Sequence, residues 1–341
     1  MRAAVTGAAG FVGRAVVADL LGRGDSVVAI LRDGHREPAE WRGRVEVFRA
    51  DLADALPPGA MTDVEVVFHC AAQVRPTWDR HRYVRNNVRG TRTVLEAAFV
   101  AGVRRVVHFS SLAVHGEHID HTGADESTPF ANPPPNPYVA TKIEAERVVE
   151  EFRRRGLDVV ILRPGWVWGP GDSALGAFAR QIRKGRLLVP GPGSNILHLV
   201  YVVNLARAAL LVAEGEGVRN EALTIHDDLG LTAEDFLRNV AAAVGVDLRV
   251  RHVPLSLALA GAGFVESASR AMHRDPILTR YQVAILAHNQ GFSVGKARRM
   301  LDFRPQVPFE EGLARTTRWI TESHPSQGGS RRRSGPRRTP Q

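Results

Sequence analysis

Two residues in "NPYVATKIEAERVVEEFRRRG" have the types and spacing of an acid–base pair. Tyr138 and Lys142 are four positions apart, which on a helix places both side chains on one face. A tyrosine has a reference pKa of about 10 and is a poor base at neutral pH. A neighbouring ammonium favours the phenolate and lowers that pKa. Lysine is otherwise avoided in this chain. Of 45 basic residues only Lys142, Lys184 and Lys296 are lysine, and 42 are arginine. A compact ammonium can tune a phenol and also reach sugar hydroxyls, whereas a broad guanidinium is less well placed. Ser111, 27 residues before Tyr138 in "HFSSLAVHG", adds a hydroxyl at a strand end that can hydrogen-bond a substrate oxygen.

Such a set needs a scaffold and a redox or transfer partner, and the start of the chain predicts both. "AAVTGAAGFVGRAVVADLLGRG" reads as strand, glycine turn and helix. Gly7 takes a tight turn, Gly10 lets the backbone approach a pyrophosphate, and Gly13 lets the helix pack close to the strand. The helix N-terminus then faces the phosphate charge. "SVVAILRDG" predicts a second strand whose end meets the adenosine ribose. Leu31 stands where an acid would hold the 2′-hydroxyl of NAD, and Arg32 follows, with Arg36 nearby. An arginine there pairs with the 2′-phosphate of NADP, so NADP is favoured, while Asp33 keeps NAD open. Asp51-Leu52 ends a third strand placed to contact the adenine. Ala71 and Ala72 end a fourth, where small side chains let a cofactor lie against the sheet edge. Strands and helices continue to alternate through "NNVRGTRTVLEAAFVAGV" and "RRVVHFSS". That alternation predicts a doubly wound parallel sheet with ligands at the C-terminal strand ends.

Composition narrows the class. The chain has 341 residues, 44% hydrophobic and 24% charged, as in soluble globular proteins. A single cysteine, Cys70 in an apolar run, excludes an intrachain disulfide and reads as a buried thiol of a reducing compartment. No apolar leader and no membrane-length run is visible, so a cytoplasmic location is expected. "VPLSLALAGAGFV" (253–265) is too short to span and reads first as core, then as a membrane-surface segment or the lining of a greasy pocket. Net charge is +9, but the tail 326–341 carries five arginines and no acid, leaving +4 elsewhere. The tail has nothing apolar to bury and is expected to be disordered, touching an anionic surface weakly at most. No specific nucleic-acid partner is predicted.

The motifs together resemble the extended short-chain dehydrogenase/reductase superfamily, also called the NAD-dependent epimerase/dehydratase family. The likeness covers roughly residues 1–320 and rests on Gly7, Gly10 and Gly13, Asp51-Leu52, "NNVRGT", Ser111, Tyr138 with Lys142, "LRPGWVWGPG" and "FSVGKARRMLDFRPQVPFEEGL". It implies that Tyr138 exchanges a proton with the substrate oxygen, Ser111 hydrogen-bonds that oxygen with Ser110 in support, and Lys142 holds the nicotinamide ribose. Hydride transfer belongs to the nicotinamide. It further implies cofactor contacts from Phe11, Val12, Pro164 and Val167, and a bracing role for Asn87. His115 replaces the tyrosine usual in "Val-Tyr-Gly", a change expected at the pocket floor.

Within the family, the Asp-Glu pair of dehydratases is absent, since Leu112 and Ala113 follow Ser111. Trp166 stands where nucleotide-sugar enzymes often place an asparagine, and Trp168 adds apolar area. Trp166, Trp168 and His115 are expected to line the substrate site, although both tryptophans could instead pack between domains. "HLVYVVNLARAALLV" and the "FSVGKARRML" helix are similar to the sterol/3β-hydroxysteroid dehydrogenase-like branch, which implies an apolar alcohol or ketone and makes Lys296 structural. His115, His118 and His121 in "HGEHIDH" are expected in a loop at the site mouth, with no metal. The expected architecture is a Rossmann-like domain, 1–165 with 197–221 returning to it, and a smaller substrate-binding lobe, 166–196 and 222–320. A homodimer pairing helices near 86–101 and 137–155 is expected. The alternatives are a nucleotide-sugar epimerase, which uses the same residues, and a non-catalytic NADP-binding or RNA-associated protein of this fold.

Overall fold

A computed structural model of the chain describes residues 1–116, 118–183 and 188–323. The tail at 326–341 and Lys184 lie outside the described residues. Strand β1 (Arg2–Thr6) turns into α1 (Phe11–Gly22), and β2 (Ser26–Leu31), β3 (Val45–Arg49) and β4 (Val66–His69) follow. A helical run begins with α2 (Arg80–Tyr83), widens into a π turn over Val84–Arg89 and continues as α3 (Gly90–Val100). Next come β5 (Arg105–Phe109), a 3-10 turn at Leu112–His115, β6 (His121–Ala124), α4 (Pro137–Arg154) and β7 (Val159–Pro164). The C-terminal half holds β8 (Trp166–Trp168), α5 (Ser173–Arg183), β9 (Leu188–Pro190), β10 (Leu199–Tyr201), α6 (Val202–Glu214), β11 (Ala222–Ile225), α7 (Ala233–Ala243) and β12 (Arg251–Val253). It ends with α8 (Leu255–Ala271), α9 (Arg280–Ile285), β13 (Gln290–Phe292), α10 (Gly295–Leu301) and α11 (Phe309–Ser323).

The central sheet has seven parallel strands in the order β3-β2-β1-β4-β5-β7-β11. Runs such as "VVFH" and "VVILRP" are buried along their whole length, because helices cover both faces of the sheet. On one face α1 and α6 contribute Val16, Leu20, Leu205 and Val212 to a core with Val5 and Phe68. On the other, α3 and α4 contribute Leu95, Ala98, Val149 and Phe152 against Val67 and Val106. A third core belongs to the C-terminal lobe and gathers Trp168, Leu175, Tyr201, Phe236 and Ile320. Strand order reverses between β1 and β4, which opens a crevice above their C-terminal ends.

Several expectations change. The return to the sheet runs beyond 221: Ala222 pairs with Ile161 and Ile225 with Pro164, so β11 is the seventh strand rather than part of the lobe. Val294, Ala297, Leu301 and Phe303 also pack back onto the α1/α6 core. The apolar segment at 253–265 is not core. It forms much of α8, in which only Ala262 and Ser269 are buried. Among the described residues no helix is long and apolar enough to cross a membrane.

Candidate active site

Ser111, Tyr138 and Lys142 are brought together by local geometry at the exit of β5. After Phe109 the chain stays extended, and the Ser111 hydroxyl accepts from the Ala113 N–H at 3.2 Å, capping the 3-10 turn. α4 starts with Pro137 behind Asn136, whose side chain accepts from the Val139 N–H at 2.9 Å. This is a favourable helix start, because proline lacks the unused N–H and asparagine satisfies another. Tyr138 therefore sits in the first turn of α4, half-buried. It packs on Ala113, Val114, Val139 and Ile143, and so on the turn that Ser111 caps. One turn later, Lys142 is buried, and its ammonium donates to the Phe109 carbonyl at 2.7 Å. Burial pulls the Lys142 pKa down to about 8, against the opposing pull of Glu146.

Asn87 lies inside the π turn, a form that often marks a functional site. Its side chain accepts from the Gln73 N–H at 2.7 Å and donates to the Gln73 carbonyl and to Thr141 Oγ1, at 3.2 and 3.1 Å. It thereby ties the exit of β4 to the residue before Lys142. Beneath, His69 bridges Thr6 and Thr91 through its two ring nitrogens, at 2.7 and 3.0 Å. Burial holds the His69 pKa near 3 and raises that of the Cys70 thiol.

The glycine turn fits a dinucleotide. Gly7 has φ of +64°, and a Cβ there would meet the Ala71 backbone at 2.8 Å. A Cβ on Gly13 would come within 2.3 Å of the Gly7 carbonyl. Gly10 precedes α1 with no side-chain cap, so the first N–H groups of α1, at Phe11, Val12 and Gly13, remain to face a pyrophosphate. Arg32 leaves β2 exposed, and its guanidinium donates to Asn86 Oδ1 at 2.8 Å. Asp51 is already engaged by the Arg85 guanidinium at 2.9 Å and by the Ala53 N–H at 3.0 Å. Ala72 flanks the crevice after Ala71. Pro164 ends β7 buried, and Val167 in β8 leans on the α1/α6 core.

Three expected residues, Ser110, His115 and Trp168, are buried in other surroundings, and Trp166 is only partly exposed. The Ser110 hydroxyl is buried and donates to Glu146 Oε1 at 2.5 Å, so it supports an interior ion pair. That pair joins Glu146 to Arg163 at 2.7 Å. His115 is buried too, with its ring between the Pro129 carbonyl and the Arg163 guanidinium, each at 3.2 Å, and with its pKa lowered to about 4 by burial. It therefore belongs to the wall behind the site and not to a substrate surface. Trp168 has no exposed surface and lies between Tyr201, Phe236 and Phe309. Trp166 is half-buried against Phe178 and Phe236. At the ends of "HGEHIDH", His115 closes the 3-10 turn and His121 starts the buried end of β6, while residues 118–120 form a turn between them as expected. Glu146, one turn after Lys142 on the same face, was not singled out by the sequence reading. Nor was Tyr83, whose ring lies 6.3 Å from that of Tyr138.

The model of the NAD dependent epimerase/dehydratase family matches residues 3–225. A 2-alkyl-3-oxoalkanoate reductase of Stenotrophomonas maltophilia is 33% identical, with 92% of this chain and 98% of that protein covered. The decarboxylating sterol-4-alpha-carboxylate 3-dehydrogenase of Mus musculus is 29% identical, over 92% and 89% of the two chains. Among solved structures, MoeE5 in complex with UDP-glucose and NAD superposes with a TM-score of 0.74 and 27% identity, over 95% of this chain and 99% of that one.

Proposed function

The chain belongs to the NAD dependent epimerase/dehydratase family and is a nicotinamide-dependent oxidoreductase of the extended short-chain type; on that premise we propose that it interconverts an apolar ketone and secondary alcohol with NADP. The observation that carries this reading is the fastening of Lys142 to the end of β5, two residues before Ser111 and one helical turn from Tyr138. In the reducing direction a nicotinamide cofactor held by the Gly7–Gly13 turn and Lys142 would supply hydride to the carbonyl carbon. The Tyr138 hydroxyl gives its proton to the carbonyl oxygen, which becomes the alcohol. Ser111 holds that oxygen. Lys142 stabilises the phenolate left behind and holds the ribose. Asn87 keeps the β4 exit and α4 in register around them.

Three observations support the finer choices. Leu31 at the end of β2 is buried and offers no carboxylate to a ribose hydroxyl, while Arg32 and Arg36 are exposed beside it, which supports NADP. Trp166 packs edge-on to Phe236 and tilted on Phe178 but stays partly exposed, so its exposed part offers apolar area where a sugar-binding site would use hydrogen-bonding groups. The names of the relatives at 33% and 29% identity, an alkyl-oxoalkanoate reductase and a sterol dehydrogenase, point the same way. A homodimer through α3 and α4 is part of the proposal and is checked by light scattering.

The likeness to MoeE5 with UDP-glucose favours a second reading, a nucleotide-sugar epimerase. Nicotinamide absorbance decides between them. Net consumption of NADPH with a long-chain 3-oxo acid or a 3-ketosteroid supports the reductase. Isomerisation of a UDP-sugar without net reduction supports the epimerase.

A further inference from the structure

Helix α8 is apolar on both of its sides, and one of those sides is uncovered. Its inward side carries Gly263, Glu266 and Ser269: a Cβ on Gly263 would lie 3.2 Å from the Arg280 side chain, and Glu266 pairs with Arg280 at 3.0 Å. Its outward side carries Leu257 and Phe264, 63% and 75% exposed and two turns apart. Further along the chain, just past the helix, Met272, Ile277 and Leu278 are exposed too, Ile277 by 88%. Trp78 joins it from the loop after β4, since its indole N–H donates to the Arg274 carbonyl at 2.9 Å and its ring lies under the Arg270 guanidinium at 5.7 Å. Scattered exposed apolar residues are ordinary, but six of the eleven large apolar side chains exposed among the described residues belong to this segment or, like Trp78, bond to it, and such a concentration marks a binding face.

Arg270 and Arg274 border this face beside Trp78, and the sequence around it is basic. Residues 247–280 hold five arginines, at 249, 251, 270, 274 and 280, against Asp247, Glu266 and Asp275. Glu266 is taken by Arg280, and Asp275 is paired with Arg82 at 3.6 Å. The face also adjoins the reacting residues. Tyr281, on the helix that α8 packs against, shares an apolar cluster with Tyr138. Tyr83, which follows the Trp78 loop, is the aromatic neighbour of Tyr138.

We propose that α8 and the segment 272–278 dock this protein onto an anionic lipid bilayer. Leu257, Phe264, Ile277 and Trp78 enter the interface while Arg270 and Arg274 meet the headgroups. The bilayer would then supply apolar substrate to the mouth beside Tyr138. Only that last step rests on the proposed function, because docking is read with no substrate present and can fail or succeed by itself.

The test uses the full chain and vesicles of phosphatidylcholine with and without phosphatidylglycerol. Co-sedimentation is expected with the anionic vesicles and should weaken with salt. Trp78 is the exposed one of the five tryptophans, so its emission should shift to shorter wavelength on binding, and Trp78→Phe should lose that shift. The triple variant Leu257→Ser/Phe264→Ser/Ile277→Ser changes outward positions alone and should keep its fold and melting temperature while binding about tenfold or more weakly. Three outcomes would overturn the proposal: no sedimentation with either vesicle; equal sedimentation of wild type and triple variant, which would assign binding to another basic segment; or concentration-dependent self-association that the triple variant abolishes without any lipid binding, which would assign the face to a second copy of the chain.

Discussion

The Lys142 ammonium donates to the Phe109 carbonyl at 2.7 Å, which locks the second turn of α4 to the last residue of β5. The bond fixes Lys142 relative to Ser111, because Ser111 follows Phe109 by two residues. It also keeps a cation where little else solvates it.

That burial has a stability consequence. The folded pKa of Lys142 is about 8, against 10.5 for the free side chain. Below pH 8 the ammonium is charged in both states and the folded state bears the full penalty, about 3 kcal/mol. As pH rises from 8 to 10.5 the unfolded chain holds the proton that the folded chain has released, so this penalty fades. Lys142→Met should therefore be more stable than wild type at pH 7 and should lose that advantage toward pH 10.5. Urea midpoints across this range test the sign, and activity should be lost in the variant at every pH.

Cofactor choice is set at the end of β2. If Arg32 pairs with a 2′-phosphate, Arg32→Ala should raise KM for NADPH about ten- to a hundredfold and leave KM for NADH unchanged. Equal effects on the two cofactors would show that Arg32 serves only its bond to Asn86.

The buried pair of Glu146 and Arg163 braces α4 against β7. Both residues are almost fully buried, and Ser110 donates to the same carboxylate. Glu146→Ala should cost about 3–5 kcal/mol, because it leaves the Arg163 guanidinium buried without its partner. Glu146→Leu combined with Arg163→Met should recover most of that loss. Denaturant titration of the single and double variants measures the coupling.

Acid should loosen the lobe at Phe292. His198 accepts from the Phe292 N–H at 2.6 Å, and His226, stacked on it at 3.9 Å, donates to the Phe292 carbonyl at 3.0 Å. Burial lowers both pKa values, that of His198 to about 3. Between pH 6.5 and 3 the unfolded chain therefore binds protons that the folded chain refuses. Stability present above pH 6.5 is lost as pH falls through that window. The melting temperature should drop from pH 7 to pH 5, and less steeply in His198→Gln, whose amide oxygen still accepts the N–H but does not titrate.

What could be read from the sequence was local. The turn at Gly7, Gly10 and Gly13 and the one-turn spacing of Tyr138 and Lys142 each depend on a few neighbouring residues, and their chemistry shows in their types. The parallel sheet followed from apolar runs alternating with helical stretches. What escaped depends on partners distant in sequence. Nothing near Trp168 announces Tyr201 and Phe309, which bury it. His115 looks like a loop residue until Arg163, 48 positions away, closes over it. β11 resembles lobe sequence until it pairs with β7. The apolar run in α8 reads as core because its apolar residues fall on both sides of the helix, and only tertiary packing decides which side is covered.

The central claim is that Tyr138 moves the proton while the rest of the site holds cofactor and substrate. The most direct measurement is turnover of NADPH with an apolar ketone by Tyr138→Phe, alongside NADPH affinity by fluorescence. The account predicts a fall in kcat of about a hundred- to ten-thousandfold with cofactor affinity nearly unchanged. Turnover within a few-fold of wild type would contradict it and move the acid–base role to another group.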